Sequence, residues 1–254
     1  MIQIPRQILL PAAAIFQVAG AALPRIYEWG IDVGVRSKAL DTAIVPAVWA
    51  FSIWGIIYLW CIAFSMYAAT RPTARAELAN TLTWPAIGVF TMNGIWALYT
   101  PMMGFDILSQ VILITALVCG VFGAIKAGQY TPKSWPTRLL AGLPLGLLAG
   151  WLTAATFVGL STVLRGAGLA ITTPLLIGIL SAGTLFAGLM ITLRPPATYV
   201  LALLWALTAV VTKNLDAGNQ AVLYTAAGAM LLIALTTVYA ARRGTAHAGK
   251  LTRF

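Results

Sequence analysis

At 254 residues, with 60% hydrophobic and only 9% charged side chains, this chain cannot solvate the surface of a soluble fold. Such a fold carries charge on about a quarter of its residues. The net charge of +10 does not point to nucleic acid either, because the basic residues lie in short clusters between apolar runs, not in one block. The expected fold class is all-α, a polytopic integral membrane helix bundle in contact with the lipid bilayer and without a separate soluble domain.

A membrane-spanning helix needs about 20 apolar residues. Eight runs meet that length, at about 6–23, 46–69, 79–100, 105–125, 138–163, 168–192, 197–213 and 219–240. The first has Arg6 ahead of it, as a signal peptide would, but Pro11 and Gln17 interrupt it. It reads as a retained helix. The run at 197–213 is short for a span, and a short span tilts little or lies partly in the interface.

Most connections are short, which makes consecutive helices antiparallel neighbours. The exception runs from Pro24 to Val45 and carries Tyr27, Trp29 and the charged residues Arg25, Glu28, Asp32, Arg36, Lys38 and Asp41. Two readings stand for it: a partly helical segment at headgroup level anchored by Trp29, or a lid over a pocket.

Basic residues divide unevenly between the two sides that eight helices define. The side of both termini holds Arg6, Arg71, Arg75, Lys126, Lys133, Arg138, Arg194, Arg242, Arg243, Lys250 and Arg253. The other side holds only Arg25, Arg36, Lys38, Arg165 and Lys213. This bias predicts cytoplasmic termini in a bacterial inner membrane. The stretch from Ala241 to Phe254 reads as a basic, disordered tail.

Polar side chains at mid-membrane depth are few: Gln17, Asn93 and Gln110. No relay of acids or bases crosses the bilayer, which argues against ion-coupled transport. HExxH, GxSxG and Walker patterns are missing, and the single histidine, His247, lies in the tail. The chain therefore reads as non-enzymatic, with no metal site. Cys61 and Cys119 fall within spans and read as packing residues, not a disulfide.

Aromatic residues, by contrast, are patterned. Phe51, Trp54 and Tyr58 follow one another at helical spacings of three and four. The third run reads Met92-Asn93-Gly94-Ile-Trp96-Ala-Leu-Tyr99, and the fifth contains Pro144 and then Gly150-Trp151-Leu-Thr-Ala-Ala155. Such residues suit a flat apolar cavity with a few polar groups. They suit interhelical packing and interfacial belts equally well, with Trp49 and Trp60 as belt residues.

Phe51-Ser-Ile-Trp54-Gly-Ile-Ile-Tyr58, Asn93-Gly-Ile-Trp96, Asp106-Ile-Leu, Leu139-Leu140 and Trp151-Leu-Thr-Ala-Ala155, in that order, resemble the translocator-protein/tryptophan-rich sensory protein (TspO/MBR) family, in its longer bacterial branch. The resemblance implies a five-helix bundle over 1–163, with three additional transmembrane helices over 164–240 and the tail over 241–254. It also implies a cavity that takes a porphyrin or other tetrapyrrole, or a sterol- or isoprenoid-like molecule, beneath the first loop. Carried onto this sequence, its walls are Trp49, Phe51, Trp54 and Tyr58 from the second helix, Trp96 from the third, and Trp151 and Ala155 from the fifth. Asn93 is the polar contact.

Departures are visible. Phe51 and Trp54 are one residue closer than the family spacing, and Pro144 and Trp151 are further apart. Gly159 stands where an asparagine is usual, and the double proline of the first loop is reduced to Pro46. The expected function is binding, sensing or transport of that hydrophobic ligand, by a single chain or a homodimer; the alternative is an accessory subunit of a larger membrane complex, such as a pigment–protein assembly.

Overall fold

The computed structural model describes residues 6–70, 78, 81–130 and 135–251, and their side chains from Gln7 to Arg243. Of the basic residues used above, Arg71, Arg75, Lys133 and Arg253 lie outside it, as do the side chains of Arg6, His247 and Lys250. Every regular element among the described residues is helical. They are α1 (Arg6–Ile26), α2 (Val33–Ala39), a 3-10 turn (Val48–Ser52), α3 (Ile53–Thr70), α4 (Thr83–Met103), α5 (Ile107–Gln129), α6 (Leu143–Gly166), α7 (Thr173–Thr192), α8 (Ala197–Ala217) and α9 (Gln220–Leu251). A helical turn at Trp135–Thr137 and a π turn at Arg138–Gly142 lead into α6. Pro144 has no N–H to give the preceding turn, a common cause of such widening.

Among the described residues all eight expected runs are helices, and 7 of these are by themselves long and apolar enough to cross a membrane. The one left out is α4, which is as long as α1 at 21 residues but is diluted by Asn93, Thr91, Thr100 and two internal prolines. Its position explains this. No residue from Pro85 to Pro101 is exposed, so α4 is sheathed by protein and has no need of a lipid-compatible surface. The run expected to be short, 197–213, is a helix of 21 residues, because Lys213 and Asn214 find partners on the first loop and the helix continues to Ala217. The tail expected to be disordered continues α9 to Leu251. Its Ala and Arg residues favour helix, and extension of an existing helix carries no nucleation cost.

The helices close into two rings that share α6. One ring runs α1–α4–α5–α6–α3 and the other α6–α8–α9–α7, each step a packed helix pair. A helix pair without a water-driven hydrophobic effect packs by close approach of small residues. Gly20 of α1 lies against Gly94 of α4 so closely that a Cβ on either would overlap the other helix. Gly146 and Gly150 do the same for α6 against Thr198 and Tyr199 of α8. Ala202, Ala206 and Ala209 of α8 thereby join the core of the first ring, while Ala149 of α6 belongs to that of the second.

Candidate cavity beneath the first loop

The first loop is an ordered cover held at two ends. At one end the carbonyls of Pro101 and Met102, which lack donors because α4 stops at Met103, accept from elsewhere. The Arg36 guanidinium donates to Pro101 O from Nε at 3.2 Å and from a terminal nitrogen at 3.0 Å, and Ile31 N–H donates to the same carbonyl at 2.9 Å. Gly30 makes this approach possible: its φ is +82°, and any Cβ would strike the Pro101 carbonyl. At the other end α8 grips the descending limb. Lys213 Nζ donates to Asp41 Oδ1 at 2.5 Å, Thr42 O at 3.0 Å and Val45 O at 3.1 Å. Asn214 Nδ2 donates to Ala43 O at 2.7 Å, and Trp205 Nε1 to Ala50 O at 2.9 Å. Between these ends α2 is capped by the Asp32 carboxylate, which accepts from Gly34 N–H at 2.8 Å.

Beneath this cover lies a cavity of about 660 Å³, bounded by α1, the loop, α3, α4 and the end of α8. That volume falls within the range of small-molecule sites, about 300–1,000 Å³. Its inner wall is aromatic. Trp54 and Tyr58 stack with centroids 5.1 Å apart, as their i, i+4 spacing allows. Trp151 meets Phe51 and Trp54 edge-on at 5.9 Å and 6.1 Å. Past Phe51, Trp54 and Trp96 a smaller chamber of about 60 Å³ continues inward to Trp151, Ala155, Gly159 and Phe105. The rim is charged: Arg25, Asp32, Lys38, Asp41 and Lys213. Lys213 and Asp41 pair with each other, whereas Arg25 and Lys38 have no carboxylate partner among the described residues.

Of the residues expected to form the site, Phe51, Trp54, Tyr58 and Trp96 border the larger cavity, and Trp151 and Ala155 border the inner chamber. Trp49 borders neither. It is half-exposed and packs edge-on against Trp205 at 4.9 Å. Asn93 is fully buried one layer behind the wall, where its Nδ2 donates to Gln17 Oε1 at 3.3 Å, with Tyr58 and Cys61 alongside. The Trp151 indole N–H is buried without a hydrogen-bond partner. Gly159 leaves the space that the Gln110 amide fills, and Gln110 Nε2 donates to Thr156 O at 2.9 Å. An amide is thus still present at this level, supplied by α5.

Sequence reasoning missed Lys213, Asn214 and Trp205, counting Lys213 only toward sidedness. The available signal was a cation and an amide adjacent near the end of an apolar run, which need partners at that depth. Pro46, noted in the sequence only as what is left of the first loop's double proline, touches both chambers. Outside the cavity, Asp106 caps α5. Burial pulls its carboxyl up, but hydrogen bonds from the Tyr99 hydroxyl, from Ser109 and from the Leu108 amide outweigh this and hold it below the usual carboxylate value.

These features define an integral membrane protein of all-α architecture, with an aromatic-walled cavity under a latched loop. No curated protein and no solved structure matches the chain. The family model described as TSPO-like protein matches residues 7–239, and the chain belongs to that family.

Proposed function

We propose that this protein binds a hydrophobic small molecule in the cavity beneath the first loop, in order to sense it or pass it across the membrane. The observation that carries the reading is the convergence of Phe51, Trp54, Tyr58, Trp96 and Trp151 on two adjoining chambers beneath the loop. Their rings supply flat apolar contact. The unpartnered Trp151 N–H and the cations Arg25 and Lys38 suit a ligand with an apolar body and polar substituents, such as a porphyrin or an isoprenoid- or sterol-like molecule. Ala155 completes the inner chamber, while Asn93 acts indirectly by holding the α1–α4 layer on which Tyr58 rests. Trp49 acts through Trp205 and the loop. In our reading both termini face the cytoplasm of a bacterial cell, since Lys126, Arg138, Arg194, Arg242 and Arg243 share their side.

Quenching of tryptophan fluorescence by protoporphyrin, titrated into detergent-purified protein, tests the proposal. Saturable quenching is expected, with Trp96→Ala and Trp151→Ala each weakening it about thirtyfold, the equivalent of about 2 kcal/mol at an anchor. Affinity unchanged in both variants refutes the pocket.

A further inference from the structure

A third space lies on the far side of the aromatic chamber, where the two helix rings meet. Every residue of α6 from Pro144 to Thr153 is buried, yet Ala154, Ala155, Phe157 and Val158 are only half-buried. Of these, Ala154, Phe157 and Val158 line a chamber of about 50 Å³ between α6, α7 and α8, reached by Leu180, Ala187 and Ala206. It offers no polar group. Its two threonines are already engaged, Thr153 Oγ1 with Ala149 O at 2.9 Å and Thr184 Oγ1 with Leu180 O at 2.8 Å. Pro46 touches all three spaces, and Ala154 and Val158 border both this chamber and the aromatic one. The partition is therefore one proline ring and two small side chains.

We infer that α7 and α8 add a tail pocket to the cavity, and that the ligand carries a short branched hydrocarbon chain, isoprenoid in character, extending past Pro46 between α6 and α8. This rests on the ligand-binding reading above and narrows it. A compact disc leaves the third space empty, whereas a flat head with a chain can occupy all three spaces, which adjoin at Pro46. The polar end stays at Arg25 and Lys38, the ring lies among Phe51, Trp54 and Trp96, and the chain end enters a dry void. Water exclusion contributes little to such a step within a bilayer, because lipid is as apolar as the pocket. The gain is the van der Waals contact that an unfilled rigid void forfeits.

The test uses 2,3-dimethoxy-5-methyl-1,4-benzoquinones with no tail, one isoprene unit or two, each quenching the intrinsic tryptophan fluorescence of the full chain in detergent. Ala206→Phe fills the chamber from α8 and Ala187→Leu from α7. Only variants that keep the parent melting temperature or exceed it are scored, and one suffices. A filled chamber is expected to weaken the two-isoprene quinone by roughly fivefold to tenfold relative to the parent, the value of a void of this size, with the tail-less quinone unchanged. Equal affinities of parent and filled variant at every tail length overturn the tail pocket and leave the aromatic cavity standing, with a bilayer acyl chain as the occupant of the void. An equal loss at every length also overturns it, because the substitution then acts on the ring site. Absence of saturable quenching by all three quinones and by protoporphyrin overturns the cavity reading and the tail pocket with it.

Discussion

Replacing Lys213 with Met separates the roles of α8 as a helix and as a latch. Lys213 Nζ holds Asp41 Oδ1, Thr42 O and Val45 O at 2.5, 3.0 and 3.1 Å, and methionine keeps the stem while removing all three bonds. A hydrogen bond to a charged donor contributes about 1.5–3 kcal/mol in protected surroundings. Here the side chains of Lys213 and Asp41 are 22% and 41% exposed, so the ion pair itself is discounted to about 0.5 kcal/mol. The two carbonyl bonds, similarly reduced, add about 0.8 kcal/mol each, for a sum near 2 kcal/mol. That free energy holds the loop limb closed; the bundle itself is held by the α6–α8 glycine contacts. The expectation is therefore local: about thirtyfold faster hydrogen exchange at the Val45 and Ala47 amides, with the melting temperature in detergent nearly unchanged. Those two N–H groups report directly, because they bond to Thr42 O at 3.0 Å and Ala209 O at 3.2 Å. Parent-like exchange across residues 41–47 refutes the latch. A collapse of melting temperature without selective exchange refutes the claim that it is local.

Gly20→Val should lower the melting temperature sharply, since the added carbons meet the Gly94 backbone and only helix separation relieves the clash, at about 1–3 kcal/mol or more. Gly55→Ala, whose new methyl meets nothing within 4 Å, should be neutral or slightly stabilising, and a loss there contradicts the packing described. Trp205→Phe deletes the bond to Ala50 O at 2.9 Å and should cost about 1 kcal/mol, read as a lower melting temperature and faster exchange at Ala50. For Asp106, the folded carboxyl titrates below its unfolded value of 3.8, so its contribution is present above that value and fades as pH falls through the folded one. Asp106→Ala should then melt lower than the parent by the equivalent of about 1 kcal/mol at pH 7. The gap should start to narrow as pH falls below 3.8 and go on narrowing through the lower folded value; a gap constant with pH would show that the charge plays no part.

The sequence by itself determined the membrane-embedded helical class, because lipid demands long uncharged segments and backbone bonds satisfied within each helix. It also determined the aromatic stripe on α3, where spacings of three and four place Phe51, Trp54 and Tyr58 on one face whatever the fold. Apolarity alone underestimated the length of α8, since hydropathy reports what lipid tolerates and not what a neighbouring segment supplies. Only the tertiary structure decided that Trp151 and Trp96 close on that stripe while Trp49 turns away to Trp205, and that Asn93 spends its amide on Gln17. It alone showed the last three helices to be no appendage, since α6 belongs to both rings and α8 ties the loop through Lys213, Asn214 and Trp205. These arrangements join residues far apart in the chain, Asn93 and Gln17 by 76 positions and Lys213 and Asp41 by 172, through contacts that no local period encodes. The space between them exists only once both rings have closed.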